Sequence, residues 1–180
     1  MRFIPIFVPY LHAVKYDKQV QDELVRLFRL WNDAKYLTEY FNKRSNDLKY
    51  YNVSVAEAVR ITRTEINHFR RNLFEILNSK DPIIDSLFSS LNNEEYSREV
   101  RLSKQKAKPN PKHWLRIYAI KIQANRYLII GGAIKLHEKM DEEDTITELS
   151  KFNIVRDYLI AENVIDYDSF YELILEEDEN

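Results

Sequence analysis

The sequence predicts an α+β fold in one domain, 1–180: a small antiparallel sheet flanked by helices, with a long N-terminal helical hairpin. Three observations point there. Apolar residues recur at three- and four-residue steps over two long stretches in the first half. Two runs of β-type residues, 114–122 and 126–136, stand three residues apart in the second half. The tetrads Ser54–Glu57 and Thr145–Glu148 match capping boxes, in which a hydroxyl and a carboxylate each satisfy a free backbone N–H at a helix start.

Taken in order, Phe3 to Val8 reads as a short strand, and Pro5 confines it to a sheet edge. From Asp17 to Lys49 one helical stripe follows, carried by Val20, Leu24, Leu27, Phe28, Trp31, Ala34, Leu37 and Phe41. The second helix opens at Ser54 and continues through Val59, Ile66, Phe69, Leu73 and Ile76. With a short connection and opposed apolar faces, the two should pack as an antiparallel hairpin. Asp81-Pro82 suits the cap and first position of a short third helix, 83–91. Residues 98–112 are basic, contain Pro109 and Pro111, lack apolar periodicity and read as an exposed loop. The two β-type runs then form a hairpin, with Asn125 in the left-handed region of its turn. A helix from Thr145 carries Leu149, Phe152, Val155, Leu159 and Ile160. The tail from Asp166 is acidic, and Asp168 could cap a short terminal helix.

Composition removes many functions. The chain has 180 residues, no cysteine and two adjacent glycines, Gly131 and Gly132. Dinucleotide-binding fingerprints, Walker loops and nucleophile elbows all need spaced glycines. Zinc ribbons, disulfide frameworks and thiol catalysis need cysteine. His12, His68, His113 and His137 are scattered without metal-ligand spacing, so no metal and no cofactor is expected. The acidic run Asp141 to Asp144 reads as a solvated loop before a helix N-terminus. No stretch reaches the length of a membrane span, and Pro5 and Pro9 interrupt the apolar start that imitates a signal peptide. A cytoplasmic protein is expected, with no membrane partner.

The net charge of −2 conceals strong segregation. Residues 98–140 carry 11 Lys and Arg against two acids, whereas residues 141–180 carry 14 acids against two bases. A basic block of this density suits a polyphosphate, because each cation on a phosphate releases counterions; the acidic tail could equally neutralise it within the fold. Strand alternation sharpens the picture. It sends Leu115, Ile117, Ala119, Leu128, Ile130, Ile134 and Leu136 to the core, and brings Arg116, Tyr118, Tyr127, Lys135 and His137 onto one open surface. The glycine pair would leave that surface unobstructed for a ligand. Cations, phenols and an imidazole can serve metal-free phosphodiester chemistry, the cations by stabilising a pentacoordinate phosphorus and the others by moving protons.

The stretch Leu115 to Leu159 resembles the C-terminal half of HigB-type toxins, a branch of the RelE/ParE superfamily with phage-derived members. There an arginine-bearing strand leads through a short turn to a second strand ending roughly His-Gly-Phe-x-Lys-Lys-Thr-x-Lys, followed by a helix. Here Leu115-Arg116-Ile117-Tyr118 is the arginine-bearing strand, and Gly131 to Lys139 takes the place of the signature. Gly132, Lys135 and Lys139 match; the family's histidine is Gly131, its second lysine Leu136 and its threonine His137. The resemblance implies a RelE/HigB-like twisted antiparallel sheet and a metal-independent endoribonuclease, an mRNA interferase of a toxin–antitoxin system. It would cut mRNA, often on the ribosome, and be silenced by an antitoxin partner. On this basis Arg116, Lys135, His137 and Tyr118 are the catalytic candidates, and Lys104, Lys106, Lys108, Lys112, Arg126 and Lys139 the RNA-backbone contacts. The departures keep a second expectation open: the same fold without the chemistry, serving phage or mobile-element biology as a protein- or nucleic-acid-binding module.

Overall fold

A computed structural model describes residues 1–90, 102–110, 112, 114–136 and 143–179. It begins with two strands, β1 (Arg2–Phe7) and β2 (Leu11–Lys15), followed by helices α1 (Glu23–Leu30), α2 (Ala34–Lys43) and α3 (Val55–Leu77). Then come β3 (Ser89–Ser90), β4 (Ser103–Ala107), β5 (Leu115–Gln123), β6 (Arg126–Ile134), α4 (Glu143–Ala161) and α5 (Tyr167–Glu179). The six strands form one mixed sheet in the order β1-β2-β6-β5-β4-β3, antiparallel except for the β2–β6 pair. The fold is α+β with five helices among the described residues. Helices α1–α3 cover one face of the sheet, around Leu27, Trp31, Phe41, Trp114 and Ile117. Helices α4 and α5 cover the other, around Tyr118, Ile120, Phe152 and Phe170.

The N-terminal region opens with a β-hairpin rather than a helical hairpin. Its edge strand contains Pro5, as edge strands tolerate. The stripe expected to form one helix over 17–49 is divided between two. Asp22 caps α1 by accepting from Val25 N at 3.0 Å, and Asp33 caps α2 by accepting from Lys35 N and Tyr36 N at 2.9 and 3.1 Å. An aspartate that can satisfy free N–H groups favours a helix start over helix interior, which breaks the periodicity at that point. α2 still packs against α3. The Ser54 capping box is formed in both directions: Ser54 N donates to Glu57 Oε2 at 2.8 Å, and Glu57 N donates to Ser54 Oγ at 3.3 Å.

The third helix expected over 83–91 is reduced to a single 3₁₀ turn at Ile84–Leu87 followed by β3. Asp85 diverts it. Its carboxylate accepts from Asn125 N, from the Tyr127 hydroxyl and from Lys121, while Asn125 Oδ1 accepts from Asp85 N. These bonds pin the segment to the β5–β6 turn, where Asn125 has the expected positive φ of 60°. The basic 98–112 loop also holds a strand. β4 pairs along β5, with Ser103, Gln105 and Ala107 buried and Lys104 and Lys106 on the opposite face. At the C-terminus Asp166, not Asp168, caps α5, accepting from Ser169 N at 2.9 Å.

Candidate nucleic-acid interface

Strand register gathers the cations. Lys106 pairs with Tyr118, and Ala107 pairs with Ile117, so Lys108 follows on beside Arg116. Arg116 pairs with Ala133, and Lys135 N donates to Trp114 O at 2.8 Å just past the end of β6. Between these pairs β6 contains a bulge: Tyr118 faces Gly131 while Ala119 faces Ile129, leaving Ile130 as the extra residue. The inserted residue places Ala133 and Lys135 on the α4 face with Arg116 and Lys106, and sends Ile134 and Leu136 toward α1–α3.

Lys106, Lys108, Arg116 and Lys135 therefore form one patch from three adjacent segments. Burial holds the Lys106 ammonium below its ordinary range, and the nearby charges of Lys108, Lys135 and Arg116 depress it further. Burial likewise lowers Arg116, against the neighbouring Tyr118, Tyr51 and Glu65. Crowded like charges favour a bound anion, whose arrival relieves their repulsion.

Other expected residues fall elsewhere. Tyr118, expected on an open surface, is 1% exposed, with its ring 5.5 Å from that of Phe152 in an edge-on contact. Burial, reinforced by Glu148 and opposed by Arg116, pushes its phenol up to about 12. Tyr127, expected beside it, lies on the opposite face, stacked on Phe88 at 4.2 Å with its hydroxyl on Asp85. Among the described residues, helices pack on both faces of the sheet, and both tyrosines lie under them. Lys104 stands on the α4 face but donates to Asn153 Oδ1 at 2.8 Å. Lys112 is exposed at the loop that joins β4 to β5. Arg126 sits at the far end of the hairpin, 4.9 Å above the Tyr167 ring. His137 and Lys139, like Arg98 and Arg101, lie outside the described residues.

The glycine pair is not an opening. A Cβ on Gly131 would overlap Glu148 Oε2, and one on Gly132 would lie 2.9 Å from both Leu27 Cδ1 and Trp31 Cη2 and 2.7 Å from Arg116 O. The missing side chains make room for the protein's own carboxylate and indole. Glu148, expected to close a capping box at Thr145, turns instead to the sheet and accepts from Gly132 N at 2.9 Å.

That bond belongs to a feature that hydrophobic pattern did not reveal. β2 accompanies β6 only as far as Ile129. Beyond it, side chains take over: Tyr16 donates to Ile130 O, Glu148 accepts from Gly132 N, Tyr40 donates to Ile134 O and Tyr51 donates to Leu136 O. Buried backbone groups without a partner cost free energy, and these four residues remove that cost. Beneath them lies a charge cluster. Arg26 grips Glu23 with two bonds of 2.7 Å, and Lys151 reaches Glu148 at 2.6 Å and Glu23 at 3.4 Å. Burial opposes charge on Glu23, but the Arg26 hydrogen bonds, with Lys151 and Gln19, hold its carboxyl below the usual range. Burial raises Glu148, with Glu23 adding to the effect, in spite of Lys151. A cavity of about 180 Å³ adjoins the cluster, lined by Arg26, Tyr36, Tyr40 and Glu148 among others. The one local signal for the cluster is the i, i+3 spacing of Glu23 with Arg26 and of Glu148 with Lys151.

Among the described residues no group of three or more His, Asp or Glu side chains could hold a metal ion, and no helix is long and apolar enough to cross a membrane. Comparison with known protein families, curated proteins and solved structures found no match.

Proposed function

We propose that the chain is a RelE/HigB-like RNA-binding protein of the cytoplasm, and that Lys106, Lys108, Arg116 and Lys135 hold successive phosphates of the RNA backbone. The observation that supports this is the convergence of four cations from β4, β5 and the end of β6 onto one partly buried patch. Lys104 and Lys112 extend the reading along β4 and its following loop. The bulge contributes directly, because it puts Lys135 on the same face as Arg116. Fluorescence anisotropy with single-stranded RNA at several salt concentrations tests the proposal. Binding should weaken steeply with salt, and each Lys→Ala in the patch should reduce the slope of log K against log salt by about 0.7. A slope unchanged after removal of Lys106 and Lys135 together defeats it.

A second reading, a metal-independent endoribonuclease of the toxin type with an antitoxin partner, is favoured by one observation: Arg116 and Lys135, which match the toxin motif, share this patch. In that reading the ribose 2′-oxygen attacks phosphorus, the bond to the 5′-oxygen breaks, and the cations stabilise the extra charge on the phosphorane. His137 takes the proton from the 2′-hydroxyl and returns one to the leaving oxygen. Tyr118, protonated at neutral pH and buried beneath Phe152, supports the patch from below rather than accepting a proton. Incubation of RNA with the protein and a chelator decides between the readings. Fragments ending in 2′,3′-cyclic phosphate, lost in His137→Ala, indicate cleavage; intact RNA with salt-sensitive binding indicates a binding module.

A further inference from the structure

Two exposed surfaces on opposite sides of the sheet complement each other in charge and apolar character. The first is a groove of about 570 Å³ where β1 meets α1 and α3. Its floor includes Ile6, Val25, Phe28 and Phe74, and Arg29 and Arg70 stand on its rim. At Asn67 it meets two further depressions along α3, which add Arg71 in one direction and Arg60 and Arg63 in the other. Val25, in the first turn of α1, is 37% exposed. Two arginines, Arg29 and Arg70, and one carboxylate, Asp33, line the groove itself. Arg71, Arg60 and Arg63, with Glu75, line the depressions beside it, so arginine outnumbers acid along this side by five to two.

The second surface is the outer face of α5. Tyr171 and Leu175 lie one helical turn apart and are 41% and 47% exposed. Asp168, Glu172 and Glu176 repeat at the same spacing beside them, and residues 166–179 contain seven acids and no base. Side chains four residues apart share one helix face, so α5 presents an apolar stripe bordered by an acidic one. That is the inverse of the groove. Because α5 packs on the sheet face opposite α1 and α3, it cannot fill the groove of its own chain.

We propose that α5 of one copy docks in the α1–α3 groove of a second copy. Tyr171 and Leu175 enter the floor at Val25, Phe28 and Phe74, while the acidic stripe meets Arg29, Arg70 and Arg71. An apolar centre with a charged rim is the usual anatomy of a specific interface, and the charges set orientation and speed of encounter. The contact is heterologous: each copy offers a helix to one neighbour and a groove to another, so it propagates unless the rotation closes a ring. The RNA patch uses neither surface.

Sedimentation velocity on the full chain tests this. The protein should self-associate with increasing concentration, and added salt should weaken the association, since the rim charges are exposed. Val25→Glu spoils only the groove, and Leu175→Lys spoils only the helix. Both are exposed positions, so circular dichroism should show both folded. Each variant alone should associate at least about tenfold more weakly, a loss of about 1.4 kcal/mol or more. Mixed together, they should form one discrete heterodimer, the intact helix of the first in the intact groove of the second. A wild-type protein that stays monomeric at every concentration overturns the proposal. So does association that either variant retains, or a mixture that does not pair.

Discussion

Gly131→Ala probes the packing around the glycine pair most directly. Gly131 has no positive φ, so alanine meets no backbone penalty there. What it meets is Glu148 Oε2, which must move away. Two bonds suffer. Gly132 N–H loses its acceptor at 2.9 Å, and the 2.6 Å pair between Lys151 and Glu148 is disturbed in a region where Lys151 is only 18% exposed. A buried donor left without a partner costs about 1–3 kcal/mol. Adding a partial loss of the ion pair, Gly131→Ala should destabilise by about 2–4 kcal/mol. With a urea m-value of about 2 kcal/mol/M, the unfolding midpoint should fall by about 1–2 M. The Glu148→Ala background supplies the control. That variant already lacks the carboxylate, so the new methyl group has room, and alanine in place of glycine in a strand should then be neutral or stabilising by up to about 1 kcal/mol. The double-mutant cycle should show a coupling of about 2 kcal/mol or more. Additivity within about 0.5 kcal/mol would mean that the methyl group and the carboxylate do not compete for the space, and the packing account would be wrong.

Other outcomes follow from the same contacts. Gly132→Ala should be destabilising and, unlike Gly131→Ala, should not be rescued by Glu148→Ala, because its methyl group meets the Arg116 carbonyl at 2.7 Å; the same urea titrations measure it. His12, 1% exposed on β2 against Phe170, has its pKa lowered by burial to about 4. The folded state therefore binds fewer protons than the unfolded one below pH 6.5, so this contribution is complete above that pH and is lost as pH falls toward 4. The loss should approach about 3 kcal/mol at the lower limit, and His12→Leu should flatten that part of the stability curve. Asp85→Ala should lower stability by about 1–3 kcal/mol, since it leaves Tyr127 and Asn125 N without their acceptor, and Tyr127→Phe should recover part of it. Urea midpoints of the two variants measure both effects.

Local signals carried the elements whose physics is local. The capping box and unbroken stripe of α3 announce themselves, as do the turn between β5 and β6 and the apolar spacing of Phe152, Val155 and Leu159 on α4. Elements defined by distant partners did not. β2 is the local hairpin partner of β1 but joins the sheet through a parallel pairing with β6 more than a hundred residues away, and β4 alternates lysine with serine and glutamine, which carries no apolar signature. The first strand of the hairpin shows why the site was only half legible. Leu115 to Ile122 is nearly continuous in apolar residues, interrupted by Arg116 and Lys121, and such a run suits a strand covered on both faces. Read as a half-exposed strand, it turns Tyr118 to solvent, where the structure has Phe152. The bulge at Ile130 is the harder case. Its one local sign is the Gly131-Gly132 pair beside Ile130, since glycine inside a strand marks a bulge as readily as an open ligand face. A single extra residue exchanges the faces of everything after it. Without it, Lys135 would sit on the face of Tyr127 and Ile129, under α1 and α2. With it, Lys135 joins Arg116 and Lys106, Gly131 receives the Glu148 carboxylate, and Ile134 and Leu136 reach the core that Trp31 and Trp114 occupy. Sequence alternation paired Lys135 with Arg116 correctly while assigning both to a surface shared with Tyr127. The bulge is the reason the pairing survives after that surface is divided between two faces, and it makes the cationic patch a consequence of backbone geometry as much as of composition.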